Sequence, residues 1–302
     1  MLDRHQSIYM SDVKETNYFV HGFEQISATY TANGSQALTH GKPHMHIDQA
    51  KKFNALFEGA SVEQLLGEAS PLYMLNHNVP ERLLANNPDI RIIIVLRNPS
   101  DVAFSNFVHH VRDRGEAVTV DDMDALLDES RYSDPRMHVF SRHLHLPEYA
   151  THLPHWVDAF QPDRLHIEIY EELLADPNAA LSRIVQFLGL PEPAPQQMLR
   201  AVNQSRMPRF ARVHSFVLAD SPAKWLARKL IPVKQRRRLR LVVESLNAGR
   251  KPLLKNTART HLDERFDRDR RYVSSLLKRP IHVWEKRLAT HSTSQITGER
   301  LT

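Results

Sequence analysis

The stretch Arg91-Ile92-Ile93-Ile94-Val95-Leu96, followed at once by Arg97-Asn98-Pro99-Ser100-Asp101, decides how this 302-residue chain folds. An unbroken apolar run rich in β-branched residues is the kind buried on both faces of a parallel sheet, with helices covering each side. Asn98 can cap a helix and Pro99 suits its first turn, so the reading is strand, tight turn, helix. Upstream, Val79-Pro80-Glu81-Arg82-Leu83-Leu84 predicts a short helix stopped before Pro88. Downstream, Tyr149, Leu153, Trp156, Val157 and Phe160 recur at helical spacing ahead of Pro162. A second strand is expected at Leu165-His166-Ile167-Glu168-Ile169-Tyr170. Asp176-Pro177 then opens a helix whose apolar face is Leu181, Ile184, Val185 and Leu188, with Gly189 closing it. Alternating strands and helices predict an α/β fold, a parallel sheet flanked by helices. Residues 1–190 carry that core. Residues 191–302 read as a helical portion packed on the same domain, ending in a helix with Leu262, Phe266, Val273, Leu276 and Leu277.

Composition narrows the function. With 41% apolar and 25% charged residues the chain is neither disordered nor fibrous. Its nine glycines frame no G-x-x-x-x-G-K and no G-x-G-x-x-G, so a loop that wraps phosphates in backbone amides is absent from these residues. Cysteine is zero, which excludes a disulfide framework, a thiolate zinc site and a cysteine nucleophile and fits a reducing compartment. No apolar run approaches the roughly 20 residues of a spanning helix, and Ile8 to Met10 is too short for a signal peptide's core. A soluble, cytoplasmic protein is therefore expected. A net charge of +5 points to anionic partners or simply to solubility.

Ligands of open parallel sheets sit beyond the carboxyl ends of strands. Arg97 stands at that end of the best strand, and Ser105 follows in the second turn of the next helix. A guanidinium fork and a hydroxyl beside a helix N-terminus suit a phosphate monoester. The alternative is an Arg97 paired with Asp101 and a solvated Ser105.

The string Val79 to Leu83, then Asn87-Pro88-Asp89-Ile90-Arg91, then LRNPSDVAFSNF from Leu96 to Phe107, resembles the core of the sulfotransferases that use 3′-phosphoadenosine 5′-phosphosulfate (PAPS), notably bacterial and glycosaminoglycan-modifying members. Lys14-Glu15-Thr16-Asn17-Tyr18-Phe19 resembles their K-E-x-x-F-F segment, and Gly67-Glu68-Ala69-Ser70-Pro71 their G-E-x-[ST]-P segment. Tyr170-Glu171-Glu172-Leu173, Asp176-Pro177 and Phe187-Leu188-Gly189-Leu190 agree with later landmarks. The resemblance implies a P-loop-NTPase-like sheet and sulfuryl transfer from PAPS without a metal, to a hydroxyl or amine of a sugar, glycan-like or small-molecule acceptor. It implies that Arg97 and Ser105 grip the nucleotide's 3′-phosphate, that Glu15 is the base, and that Lys14 attracts sulfate or an acidic substrate. Glu68, after an expected strand from Gln64 to Gly67, is a second carboxylate expected to orient substrate.

Two departures stand out. Glycan-modifying relatives place a lysine where this chain has Ala69. Family members also begin with a strand and a loop resembling G-x-x-K-x-G-T-[ST] that holds the 5′-phosphosulfate, and no such loop occurs here. Met1 is accordingly read as an internal methionine, with strand and loop expected ahead of it. The competing reading is a catalytically impaired protein that binds the nucleotide or another anion.

Other signals are weaker. Arg206 and Arg209, with Arg212, occupy a segment that in the family closes on the nucleotide, or they form an exposed basic loop. Lys234-Gln235-Arg236-Arg237-Arg238-Leu239-Arg240 opens a basic amphipathic helix suited to an anionic surface, or a solvated face. Its arginines lack interleaved aromatics, so no nucleic acid partner is expected. His44, His46, His143 and His145 read as surface histidines with no completed ligand set. The acceptor is expected to be chosen by loops within residues 20–66 and 110–148.

Overall fold

The computed structural model describes residues 2–20, 50–114, 144–191 and 254–285. Strands β1 (Ile8–Met10), β2 (Leu65–Gly67), β3 (Ile92–Leu96) and β4 (Leu165–Ile169) alternate with helices, as an α/β fold requires. The helices are α1 (Ala50–Asn54), α2 (Val79–Asn86), α3 (Pro99–Arg114), α4 (Tyr149–Ala159), α5 (Tyr170–Ala175), α6 (Pro177–Leu188), α7 (Asn256–Arg265) and α8 (Asp267–Leu276). All pairing is parallel. β1 lies on β2 with Ile8 opposite Leu65, and β3 lies on β4 with Ile92 opposite Leu165 and Leu96 opposite Ile169. Among the described residues the two pairs share no ladder, so the sheet expected as one is present as two parallel halves.

Local signals fix the helix ends. Asn98 Oδ1 accepts from the backbone N–H groups of Ser100 (3.0 Å) and Asp101 (3.4 Å), which caps α3. Asp176 Oδ1 accepts from Ala179 N–H at 3.0 Å at the start of α6, and Gly189 ends that helix at φ 70°, a left-handed conformation glycine adopts without penalty.

The period of two along β3 and β4 places Ile92, Ile94 and Leu96 on one face beside Leu165, Ile167 and Ile169. Helix α4 covers that face. Trp156 and Phe160 join Val79 and Leu83 of α2 in one buried cluster, Tyr149 and Leu153 join Leu96, Ile169, Val273 and Trp284 in another, and Ile94 packs against both. The opposite face differs from the expected burial on both sides, because Val95 is 47% exposed. Its cross-strand neighbour is Glu168, not another aliphatic residue, and α6 reaches the face with a charge. Arg183 grips the buried Glu168 carboxylate through Nε (2.9 Å) and Nη2 (2.8 Å), and His166 adds a bond at 2.8 Å. Burial alone would push this carboxyl up, but the Arg183 and His166 hydrogen bonds outweigh it and hold it below the usual range.

The C-terminal apolar pattern, read as one helix, forms two. The chain leaves helical geometry at Phe266 (φ −97°, ψ 16°), which is fully buried, so the segments before and after it take different directions. Buried polar contacts fasten them to the sheet domain. Arg259 Nη2 reaches Asp101 Oδ1 (2.6 Å), Ser100 Oγ donates to Asp263 Oδ1 (2.6 Å), and Ala150 N–H donates to Asp269 Oδ1 (2.9 Å). Residues 254–285 are thus helical and packed on the core, while 192–253 lie outside the described residues.

Candidate functional site

Within each parallel pair the carboxyl ends of both strands point the same way, so the segments that follow meet in two corners. The first corner joins the chain after β1 to the chain after β2. Ser11 N–H donates to Gly67 O (2.8 Å) and Glu15 N–H to Ala69 O (3.1 Å). Thr16 donates twice to Glu68 Oε1, from N–H at 3.3 Å and from Oγ1 at 2.7 Å, and Ser70 Oγ donates to the same oxygen. Asn17 N–H donates to Ser70 Oγ at 3.0 Å. Glu15 and Asn17 have φ of 56° and 52°, in the left-handed region that L residues other than Asn and Asp rarely enter. The structure therefore brings Glu15 and Glu68 together through backbone bonds, with Lys14 exposed beside them. Glu68, expected to orient substrate, has one oxygen fully engaged by its own chain.

Tyr73 completes this corner. Its hydroxyl accepts from Phe19 N–H (3.5 Å) and lies 3.4 Å from Thr16 Oγ1. Thr16 spends its only hydroxyl hydrogen on Glu68, so Tyr73 is the donor of that contact. Burial and the adjacent Glu68 carboxylate push the Tyr73 phenol up to about 12.

The second corner follows β3 and β4. Arg97 lies with its guanidinium carbon 5.4 Å above the centre of the Tyr170 ring, the first residue of α5, and Nη2 is 4.0 Å from Asp101. Asp101 has a nearer cation in Arg259, so Arg97 neighbours Asp101 without being consumed by it. The side chain is 28% exposed. The first-turn amides of α3 are already satisfied, since Asn98 takes those of Ser100, Asp101 and Val102. A phosphate here would be held by side chains and the helix dipole, with little help from backbone donors. Ser105 is buried in α3, not solvated, roughly 10 Å along the axis from the cap at 1.5 Å per residue.

Two residues in this corner make contacts that motif reading did not show. Tyr149 looked like one aromatic of a core stripe, yet its hydroxyl donates to Arg97 O (2.8 Å) and accepts from Arg97 N–H (3.3 Å), fixing the backbone that carries the guanidinium. Glu171 accepts from Asn98 N–H (3.0 Å) through one oxygen and from Trp284 Nε1 (2.9 Å) through the other, which ties the turn to the C-terminal segment. A phenol at the start of a helix that packs on the strand is the only signal Tyr149 offered.

Tyr149 also gives a pH test. Burial raises its pKa above the ordinary value near 10. A phenol harder to ionise in the folded state keeps its full stabilisation below about pH 10 and loses it as pH rises, because the unfolded chain releases the proton first. By pH 11 that amounts to on the order of 1 kcal/mol. Tyr149→Phe should be less stable at pH 7, through loss of both Arg97 bonds, yet decline less steeply between pH 9 and 11 in thermal melts. Parallel decline of the two proteins would contradict this account.

Arg206, Arg209 and the Lys234 to Arg240 run lie outside the described residues, as do most of the loops expected to choose the acceptor.

Comparison with known proteins places this geometry. A family model described as "Sulfotransferase domain" matches residues 56–217, more than half of the 302. Human "Heparan sulfate glucosamine 3-O-sulfotransferase 3B1" is 28% identical over 132 residues, 42% of this chain and 32% of that protein. Bovine "Bifunctional heparan sulfate N-deacetylase/N-sulfotransferase 2" is 31% identical over 149 residues, 49% of this chain and 17% of that protein. The match thus spans about a third or less of either relative's length. The crystal structure of a sulfotransferase from Alicyclobacillus acidocaldarius superposes with a TM-score of 0.60 at 20% identity, covering 94% of this chain and 91% of that one, which shows a shared fold. A strand ending in Arg97, a capped helix behind it and a family match running across both make this chain a member of the sulfotransferase domain family.

Proposed function

We propose that this protein transfers a sulfuryl group from PAPS to a hydroxyl or amine of a sugar, glycan-like or small-molecule acceptor. The observation that carries the reading is Arg97, held by Tyr149 at the carboxyl end of β3, laid over Tyr170 and not consumed by Asp101. A partly exposed guanidinium with a hydroxyl-bearing helix behind it fits a phosphate monoester. When bound, PAPS supplies an activated sulfuryl group on a good leaving phosphate. The chain's own residues do the rest. Arg97 and Ser105 bind the 3′-phosphate, and Arg206 and Arg209 add positive charge from the segment between the core and the C-terminal helices. Glu15 accepts the proton of the attacking hydroxyl or amine, and Lys14 offsets the charge that gathers beside it. The heparan sulfate sulfotransferases among its relatives favour a glycan acceptor.

The competing reading is a protein that binds the nucleotide or another anion without transferring. Labelled transfer from PAPS to a de-O-sulfated heparan polysaccharide separates the readings, run beside ATP labelled at its γ-phosphate. The 302-residue chain is assayed together with one extended by the in-frame upstream codons. Sulfate transfer by either chain supports the enzyme. Bisphosphate binding with transfer by neither supports the second reading, and phosphate transfer from ATP overturns both.

A further inference from the structure

Glu68 entered as a carboxylate for the substrate, but its contacts run inward. Among the described residues every hydrogen bond that reaches its carboxylate arrives at Oε1, from Thr16 N–H, Thr16 Oγ1 and Ser70 Oγ. Thr16 and Asn17 are fully buried, and Tyr73 closes the back of the cluster. The three consecutive amides of Glu15, Thr16 and Asn17 are taken by Ala69 O, Glu68 Oε1 and Ser70 Oγ, three consecutive residues of the chain that leaves β2. A ladder that ends at Met10 opposite Gly67 is thus continued by one backbone carbonyl and two side chains along a non-extended path. That path has left-handed backbone at Glu15 and Asn17, on either side of Thr16. Asn tolerates this conformation and Glu does not, so Glu15 stays there only because its surroundings impose it. The group those buried donors converge on is an anionic oxygen, Glu68 Oε1, which they cannot exchange for water.

We propose that Glu68 is a positioning residue: through Thr16 and Ser70 its carboxylate locks the segment after β1 in the left-handed geometry that aims Glu15 at the acceptor. The proposal rests on Glu15 as the base, yet the clamp itself can be read without any turnover. Without the Glu68 charge, the Thr16 and Ser70 donors lose a charge-assisted partner and the segment relaxes toward ordinary backbone, carrying Glu15 away. A misplacement of about 1 Å costs a reaction on the order of a hundredfold in rate, while leaving groups that merely bind substrate untouched.

The test compares Glu68→Gln, Thr16→Val and Thr16→Ser in the full chain. Thr16→Val removes the hydroxyl but leaves Glu68 charged, and Thr16→Ser keeps the hydroxyl. Amide hydrogen exchange should show loss of protection at Glu15, Thr16 and Asn17 in Glu68→Gln and in Thr16→Val, with β3 and β4 unchanged and Thr16→Ser like wild type. In sulfate transfer from PAPS to de-O-sulfated heparan, both disruptive variants should lose about a hundredfold in kcat. Their KM for the polysaccharide should stay within about twofold, and the double variant should be no worse than either single one. Unchanged exchange at residues 15–17 in Glu68→Gln overturns the clamp. A raised KM with unchanged kcat in Glu68→Gln, beside a wild-type Thr16→Val, overturns it in favour of direct acceptor contact. If the wild-type chain transfers no sulfate to this probe, the exchange measurement still decides the clamp, and only the reading of Glu15 falls.

Discussion

Arg97→Ala should weaken binding of adenosine 3′,5′-bisphosphate by roughly a hundredfold or more, measured calorimetrically at physiological salt. Truncating one partner of a desolvated, hydrogen-bonded charge pair costs about 2–5 kcal/mol, and each 1.4 kcal/mol is about tenfold in affinity. The loss should appear in binding and hardly in folding. Asp101, the carboxylate paired with the Arg97 guanidinium among the described residues, is held at 2.6 Å by Arg259, so removing Arg97 does not strand it. The guanidinium is also partly exposed, and its contact with Tyr170 is a modest one. Thermal melts should move by no more than about 3 °C. Arg97→Lys should fall between, since an ammonium keeps the charge but loses the planar fork. Unchanged bisphosphate affinity in Arg97→Ala, with the variant folded, would remove the phosphate site and with it the assignment of the donor.

What was legible in the sequence is what short-range chemistry encodes. Asn98-Pro99 and Asp176-Pro177 announced two helix starts and Gly189 one helix end, because caps act within a few residues of themselves. The β3 run was legible as a strand but not in its burial, because the partner across from Val95 is set by a register that joins positions 73 residues apart. Tyr149 holding Arg97, Glu171 bridging Asn98 to Trp284, and Glu68 gathering Thr16 are contacts of the same long-range kind. Polar residues that meet only after folding carry no periodicity. The break at Phe266 was hidden for the opposite reason, since an apolar residue inside a helical pattern looks the same whether the chain bends there or not. Position at the end of a strand supplied Arg97 and Ser105 as candidates, resemblance gave them a ligand, and resemblance alone supplied Glu15. The structure adds how Arg97 and Glu15 are held, and that difference separates a residue that is present from one that is aimed.

The same distinction governs Glu15→Gln, which should lower kcat for sulfate transfer by about 10²–10⁴-fold, the usual range for removing a positioned general base. Glutamine keeps the length and shape of the side chain and the left-handed backbone at φ 56°, so bisphosphate affinity and the melting temperature should stay close to wild type. A paired substitution probes the cost of the conformation. Glu15→Gly relieves a left-handed strain worth about 1–2 kcal/mol, gives back about 0.5–1 kcal/mol of chain entropy and loses the contacts of the Glu15 side chain, so its melting temperature reports the balance of the three. Its catalysis should be as poor as that of Glu15→Gln. If Glu15→Gln turns over as fast as wild type, the base lies elsewhere. If Glu15→Gly is markedly less stable than wild type, the side-chain contacts of Glu15 outweigh the left-handed strain and support the fold.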